Sequence, residues 1–554
     1  MTTAHNVTRS ARNISLAVLG SRVLGLVREV VLAALFGAAR EFDAFITAFR
    51  IPNLLRDLFA EGALSAAFVP TLSKKMEQQG DAAAWRLANI VLNALLVVLS
   101  VVTLLGVVAA PWIVRLLAPG FSDVEGKTEL TVTMTRIMFP FLLLIAVAAL
   151  AMGILNAKHR FGVPASASML FNIGSIVSGV FFAWLLTPTF LSDPRHAAPL
   201  SVERAMIAFS IGTLIGGAAQ LLIQVPSLWK VGFRYAPIFD WRDEGFRQVL
   251  KLLAPAVLGV AAVQINVFVD NWFASLPHMS EWSPLLAGAG VHPPPSEIQQ
   301  QGNGAVTWLN CAFRMMQFPI GMFGVALGVA TLPTVTKLIA RGNTDEFRAT
   351  VARSIRLAFF LCVPAAVGLA ALAEPIVSVL YQHGRFDALA TAQTAWCLRA
   401  FAVGLAGYAA IKVLAPTFYA LGDSRTPMFV ALASVAVNAA LDYVFGIWLG
   451  MKAAGLALAT SCVALTNFAV LFVLMRRKIQ RFETGALAVS LAKIVAASSV
   501  MGATAFLTQH WLESNRYVEL AASIGAASVV FAVSCKLLRI RELTELWDSF
   551  QRKL

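Results

Sequence analysis

Charged residues are scarce in this chain of 554 residues. Asp, Glu, Lys and Arg together make up 13% of it, which is roughly half the share found in soluble globular proteins. Hydrophobic residues make up 58%, and the mean hydropathy is +0.73. Apolar runs of about 20 residues, each long enough to cross a bilayer core of about 30 Å, recur along the whole length. The sequence therefore excludes a soluble protein and predicts an all-α polytopic membrane protein.

Paired cysteines and catalytic signatures are also missing. The five cysteines are scattered and form no CxxC pair, which is typical of small apolar helix residues rather than of disulfides or metal ligands. The sequence contains no P-loop, HExxH or GxSxG pattern. It therefore predicts a protein that binds and moves a ligand, without enzymatic activity and without an organic cofactor.

The apolar segments and the basic residues together predict a topology. Most of the 44 Lys and Arg residues fall on one side of the membrane when both termini are placed in the cytoplasm. The net charge of +14 is then mainly a topology signal, with attraction to anionic membrane lipids, rather than a sign of nucleic-acid binding. We expect about 14 transmembrane helices, near 14–37, 43–73, 88–110, 128–156, 164–187, 205–226, 250–275, 304–332, 355–373, 390–418, 427–449, 453–475, 485–508 and 517–538.

An internal repeat organises these helices. GALSAAFVPTLSK at 62–74 resembles VALGVATLPTVTK at 325–337, and Arg50 (TAFR) matches Arg314 (CAFR) at nearly the same spacing. Such a repeat predicts two pseudo-symmetric six-helix lobes with a binding site between them. The expected organisation is a cytoplasmic tail at 1–13, an N-lobe at 14–230, a C-lobe at 231–480 with an irregular outer insertion at 276–303, two further helices at 481–540, and a cytoplasmic tail at 541–554.

Ionisable residues cluster in the first two helices, although each costs about 2.5–3.5 kcal/mol at bilayer depth. Such groups are expected to face a bundle interior or a wet cavity, and the excess of Arg predicts an anionic ligand. Structural ion pairs, such as Arg28 with Asp43, and snorkelling of Arg40 and Arg56 to the headgroups are the alternatives. The candidate ligand-binding residues are Arg22, Arg28, Glu29, Asp43, Arg50 and Arg56, with Arg314 and Gln317 in the second repeat.

A second polar cluster is rich in oxygen. Asp270 lies in the seventh expected helix, Asn438 and Asp442 lie one turn apart in the eleventh, and Thr460 lies in the twelfth. These side chains predict either a site for a small cation such as Na⁺ or a set of protonatable groups. The alternatives are interhelical hydrogen bonds, or an ion pair of Asp270 with a basic residue.

Several motifs resemble one known family. SRVLGLVRE, FDAFITAFRIPNLLR and FAEGALSAAFVPTL within 21–72, RMMQFPIGMFGVALGVATLPTVTK at 314–337 and KVLAPTFYALGDSRTPM at 412–428 closely resemble the MurJ/MviN lipid II flippases of the multidrug/oligosaccharidyl-lipid/polysaccharide exporter superfamily. The resemblance implies a bacterial inner-membrane protein of cell-wall and peptidoglycan biogenesis. It places the family's central-cavity charges on Arg22, Arg28, Asp43, Arg56 and Arg314.

The resemblance also implies a substrate and a mechanism. Lipid II, the undecaprenyl-diphosphate-linked precursor of peptidoglycan, would pass from the cytoplasmic to the periplasmic leaflet by alternating access of the two lobes around an Arg-rich cavity. Asp57 and Gln317 depart from some members, which changes the charge balance of the cavity, and a Na⁺ site like the one expected here occurs in some members only. The alternatives are export of another lipid-linked oligosaccharide, or a membrane scaffold that binds cell-wall synthesis enzymes.

Overall fold

The chain is helical, as a computed structural model shows for most of its length. In the described part, helices are joined by turns and short extended segments and no strand occurs, which confirms the all-α class. Asp57, Glu61, the N-terminal tail and the end of the C-terminal tail lie outside the residues that the structure describes. The structure describes residues 20–56, 63–294, 302–480, 484–512 and 514–545.

Two compact units make up the fold. The first contains the described residues up to Pro277, with 302–307 and 383–386. Its helices are α1 (20–36), α2 (Arg40–Arg56), α3 (Ala63–Leu117), α4 (Lys127–Met138), α5 (Phe141–Ala157), α6 (Gly162–Leu186), α7 (Pro188–Ser192), α8 (Pro199–Leu222), α9 (Val225–Lys230) and α10 (Glu244–Ala274).

The second unit contains the remaining described residues. Its first helix is α11 (Pro284–Gly288), and α12 (Ala305–Pro319) follows. The first turn of α12 belongs to the first unit. A π-helical turn, Ile320–Gly324, joins α12 to α13, and a second one, Tyr443–Trp448, follows α17. The other helices are α13 (Val325–Ala340), α14 (Thr344–Ala371), α15 (Ala373–Tyr381), α16 (Ala388–Ala420), α17 (Arg425–Asp442), α18 (Lys452–Ile479), α19 (Thr484–Trp511) and α20 (Arg516–Leu537).

Eleven helical stretches of the described part are long and apolar enough to cross a membrane. The chain is therefore a multi-pass membrane protein. The helices α1, α2 and α10 are not among the eleven, and α2 is both short, at 17 residues, and rich in charge. The expected total of about 14 spans stays a prediction.

Helix boundaries differ from the expected ones where proline and glycine act. The expected helix at 128–156 is divided into α4 and α5 at Phe139 and Pro140. The range Ala63–Leu117, labelled α3, consists of two helical stretches that meet at a kink at Gly80, whose backbone is non-helical (φ 81°, ψ 176°); glycine adopts such a conformation at little cost. Pro52 lies inside α2, which continues to Arg56.

Glycines allow close helix packing within each unit. A Cβ on Gly212 of α8 would lie 2.6 Å from the backbone nitrogen of Gly179 in α6, so the two backbones touch there. In the second unit, a Cβ on Gly404 of α16 would lie 2.6 Å from the Cα of Ser461 in α18. Small residues at such crossings are the usual means by which membrane helices approach closely.

The repeated residues fall on corresponding helices. Pro70 lies in α3 and its counterpart Pro333 in α13, while Arg50 lies in α2 and its counterpart Arg314 in α12. The lobe boundary at residue 230 stays a prediction, and by its packing α10 belongs to the first unit.

The outer insertion is more ordered than its composition indicates. Between 276 and 294 it forms a 3-10 turn, Pro277–Ser280, followed by α11. Ser283 Oγ donates to the Gly450 carbonyl at 2.9 Å, and Lys452 pairs with Glu281 at 2.8 Å. The described part of the insertion therefore contains two short helical segments held by contacts within the second unit, and the outer insertion as such stays a prediction.

Candidate functional site

Asp43 is a buried candidate residue whose carboxylate accepts several hydrogen bonds. It lies in the first turns of α2 and is 1% exposed. Its Oδ2 accepts from the Gly304 N–H at 2.8 Å, and its Oδ1 accepts from the N–H and Oγ1 of Thr307 at 2.9 and 2.7 Å. These donors belong to the first turn of α12, so Asp43 caps that helix and opposes its positive end.

Lys127 is the basic partner of Asp43, and sequence reasoning missed it. Its Nζ lies 2.9 Å from Asp43 Oδ2 and 2.8 Å from Asn303 Oδ1, and the side chain is 1% exposed. The ammonium also lies 4.1 Å from the centre of the Phe121 ring. Asp43 and Lys127 are 84 residues apart, so no local pattern in the sequence indicates the pair.

Arg28 lies in an aromatic environment. The guanidinium carbon is 5.6 Å from the centre of the Phe49 ring and 5.0 Å from that of Phe171, and the residue is 8% exposed. Glu29, next to it on α1, is also buried. Cation–π contacts of this kind stabilise a desolvated cation by about 2 kcal/mol, so Arg28 contributes to helix packing whatever else it binds.

Arg50 links α2 to α10. Its Nη1 donates to Asn271 Oδ1 at 2.8 Å, and Asn271 Nδ2 donates to the Leu117 carbonyl at 3.1 Å. Thr47 Oγ1 lies 3.3 Å from the same Asn271 oxygen. The sequence pointed to Arg50 through the repeat, whereas its structural partner comes from α10.

Three other arginines of the first unit differ in exposure. Arg22 of α1 is exposed, and Arg56, the last described residue of α2, is half-buried. Arg40 forms ion pairs with Glu41 at 2.9 Å and with Glu203. Arg40, the first residue of α2, is thus bound by two carboxylates.

Arg314 and Gln317 lie on one face of α12, three residues apart, and both are exposed. Pro319 and the π-helical turn follow directly. Wide helical turns of this type are frequent at functional sites. The structure therefore places the second-repeat candidates on accessible surface beside a local irregularity of the helix.

Lys412 is a further cation that sequence reasoning missed. It is exposed on α16, whose other charged residue is Arg399. Two glycines lie against it: a Cβ added at Gly324 would lie 3.7 Å from Lys412 Cγ, and one added at Gly328 would lie 2.3 Å from the Lys412 carbonyl oxygen. The signal in the sequence is a lone Lys at the start of KVLAPTFYALGDSRTPM.

The oxygen-rich candidates are only partly brought together. Asn438 Nδ2 donates to Asp442 Oδ2 at 2.9 Å, and Asp442 is 0% exposed. Thr460 Oγ1 donates to the Leu456 carbonyl at 3.0 Å. Asp270 is half-buried and belongs to the first unit, whereas the other three belong to the second. In the described residues, no group of three His, Cys, Asp or Glu side chains has the spacing of a metal site.

The sequence matches one family over most of its length. The family model described as "Lipid II flippase MurJ" matches residues 32–524. The chain belongs to this family. Flippases are transporters, so it is not an enzyme.

Curated relatives of the family are similar along nearly the whole chain. A "Lipid II flippase MurJ" of Burkholderia cenocepacia is 35% identical over 477 residues, 85% of this chain and 84% of that protein. A "Probable lipid II flippase MurJ" of Vibrio cholerae is 34% identical over 85% of this chain and 83% of that protein.

Solved structures give the same family and a wider fold group. "Lipid II flippase MurJ, inward closed conformation" has a TM-score of 0.75 and 25% identity, and the match covers 96% of this chain and 99% of that one. An inward-facing multidrug resistance MATE family transporter of the MOP superfamily has a TM-score of 0.65 at 14% identity, over 84% of this chain and 96% of that one. The second match shows a shared fold alone.

Replacing Asp43 by Ala should destabilise the protein strongly. The change leaves the buried Lys127 ammonium without its carboxylate, and breaking a buried pair in this way costs about 3–5 kcal/mol. We expect a lower thermal unfolding midpoint in detergent, and partial recovery in the double variant Asp43→Ala/Lys127→Met.

The control is Asp81→Ala, since Asp81 pairs with Lys158 at 2.7 Å but is 54% exposed in its side chain. Such surface pairs contribute about 0–1 kcal/mol. An Asp43 variant that unfolds no earlier than the Asp81 variant would contradict the assigned role.

Proposed function

We propose that this chain moves lipid II, the undecaprenyl-diphosphate-linked precursor of peptidoglycan, across the bacterial inner membrane. Family membership carries the proposal, because curated relatives that match 85% of the chain are named lipid II flippases. The Lys/Arg distribution supports an orientation with both termini in the cytoplasm. Transport would then run from the cytoplasmic to the periplasmic leaflet by alternating access of the two lobes.

The exposed cations are the proposed contacts of the head group. Arg22 and Arg314 are exposed and Arg56 is half-buried, so their guanidinium groups are accessible to a large anion. A guanidinium binds phosphate oxygens in a bidentate manner and stays charged at every relevant pH. Lys412 adds an exposed ammonium, and Gln317 a neutral hydrogen-bonding group, to the second-unit set.

The buried candidates are proposed to act by positioning. Asp43 fixes the first turn of α12, which carries Arg314 further along, and Arg50 holds α2 to α10. Arg28 and Glu29 are buried among helix contacts of the first unit. Direct binding of lipid II by these four residues stays a prediction.

A Na⁺ ion is proposed at Asn438 and Asp442. A buried carboxylate and a neighbouring amide oxygen are hard ligands suited to a small cation, and a buried carboxylate in a membrane helix favours a counter-charge. Asp270 and Thr460 stay predicted ligands. Coupling to Na⁺, or to a membrane potential that supplies about 2.3 kcal/mol per charge per 100 mV, would drive transport without covalent chemistry.

Other functions have less support. A scaffold for cell-wall enzymes gives no reason for exposed cations on α12 and α16, and the surfaces that such enzymes would bind stay predictions. The same cations would also bind another lipid-linked oligosaccharide. A transport assay in which the two substrates compete, rather than the geometry, distinguishes it from lipid II.

Removing an exposed cation should slow transport with little effect on folding. We expect Arg314→Ala and Lys412→Ala, in protein reconstituted with fluorescent lipid II, to lower the translocation rate about tenfold or more, since a charge-assisted hydrogen bond contributes about 1.5–3 kcal/mol. The readout is the fraction of head groups that reach the outer leaflet.

The matched control is Arg341→Ala, an exposed Arg at the C-terminal end of α13. It should leave the rate unchanged. If Arg314→Ala and Lys412→Ala also translocate lipid II at the rate of the parent protein, these two cations do not bind the head group.

A bound Na⁺ should stabilise the folded protein. We expect NaCl, compared with KCl at equal ionic strength, to raise the thermal unfolding midpoint, and Asp442→Asn to abolish that difference because the substitution removes the buried negative charge.

Asp423→Asn is the control for this measurement. The hydrogen bond from Lys478 holds the pKa of the Asp423 carboxyl at about 2, so the carboxylate is charged but already paired. Its variant should keep the Na⁺ response, and a Na⁺ response that survives in Asp442→Asn would contradict the site.

A further inference from the structure

The connection between α9 and α10, residues 231–243, has no regular secondary structure and is bound along α3. We call it the aromatic strap. Asn89 Nδ2 donates to the Arg234 carbonyl at 3.0 Å, and Asn89 Oδ1 accepts from the Ala236 N–H at 2.8 Å. Asn93 Nδ2 donates to the carbonyls of Ala236 and Ile238 at 2.9 and 3.0 Å. Two buried amides of α3 thus satisfy the backbone of alternate strap residues.

Further contacts fix both ends of the aromatic strap. Phe233 is buried and its ring lies 5.8 Å from that of Trp85. At the other end Asp243 pairs with Lys75 at 2.9 Å. Burial alone would raise the pKa of the Asp243 carboxyl, but the hydrogen bonds from Lys75 and from the Phe246 N–H hold it below its usual value. The pair therefore persists at neutral pH.

The outer face of the aromatic strap is apolar. Tyr235, Phe239 and Trp241 are 58%, 57% and 50% exposed, and Trp229 of α9 is 56% exposed. Ile238, by contrast, packs inward. Lys230, Arg234 and Arg242 are exposed beside these aromatic rings.

The position of the strap along α3 gives its depth. Arg86, which pairs with Asp240 at 3.0 Å, precedes Asn93 by seven residues, or about 10 Å along a helix. The tip at Ala236–Ile238 is therefore beside the apolar part of α3, where an unsatisfied carbonyl would cost several kcal/mol. Pairing by Asn89 and Asn93 allows irregular backbone at that depth.

We propose that the aromatic strap anchors this end of the first unit in the interface of the membrane and binds its anionic headgroups. Aromatic side chains are favoured at the headgroup level, and basic side chains beside them attract anionic phospholipid. The Lys/Arg distribution assigns this end to the cytoplasmic leaflet. Since a lipid anchor requires no transport substrate, the proposal goes beyond the proposed function and can fail without it.

The test places a fluorescent label at position 239. Phe239→Cys is labelled in full-length protein in vesicles of phosphatidylcholine with or without phosphatidylglycerol. We expect the label to be quenched by lipid that carries a nitroxide near the headgroup, and to be at least threefold less sensitive to aqueous iodide than a label at Gln79→Cys, an exposed position before the Gly80 turn. The parent chain treated with the same dye is the control for background labelling, which we expect to be low because four of its five cysteines are buried.

A second variant tests the charge. Lys230→Gln/Arg242→Gln should remove the increase in nitroxide quenching that phosphatidylglycerol causes, without changing the thermal unfolding midpoint, since both side chains are exposed. The same quenching in both lipid mixtures would overturn the binding of anionic headgroups.

Two other outcomes would overturn the anchor itself. A label at 239 as sensitive to iodide as the label at 79 would mean that water covers the strap. A label shielded from both iodide and nitroxide lipid would mean that protein, such as a second copy of the chain, covers it.

Discussion

The carboxylate of Asp43 is fully buried, and a buried charge without a partner costs several kcal/mol. Lys127 and the first amides of α12 provide the positive charge and the hydrogen bonds that make this burial tolerable. The carboxylate thereby caps the first turn of α12, and α12 carries Arg314 and Gln317 on its exposed face. The candidate site thus depends on a buried pair that need not contact the substrate.

The charged residues divide into two groups according to their surroundings. Arg28 and Arg50 are held by aromatic rings and by an amide of the same unit, so their cost at bilayer depth is offset within the protein. Arg22, Arg314 and Lys412 are exposed on helices of a membrane protein. Exposed charge at such positions is costly in lipid and favours an aqueous path for an anion, which agrees with the family to which the chain belongs.

The sequence predicted the helical class and the family because both depend on long apolar runs and on contiguous motifs. Repeat spacing likewise indicated Arg314 from Arg50. It could not indicate Lys127, because the contact with Asp43 joins residues 84 positions apart in sequence. The effects of Pro and Gly were predicted only in part: Pro140 divides a helix that was expected to be continuous, whereas Gly80 lies at a kink between two helical stretches that were expected to be separate. Short helices in the outer insertion depend on contacts with Gly450 and Lys452, which composition does not reveal.

The central claim is that this chain moves a lipid-linked diphosphate in cells. Its most direct test is the growth of bacteria depleted of their own lipid II flippase and supplied with this chain, with the appearance of lipid II head groups outside the inner membrane measured in the same cells. The account predicts restored growth together with restored export. Cells that make the protein in the membrane at normal levels and still accumulate lipid II inside would contradict it.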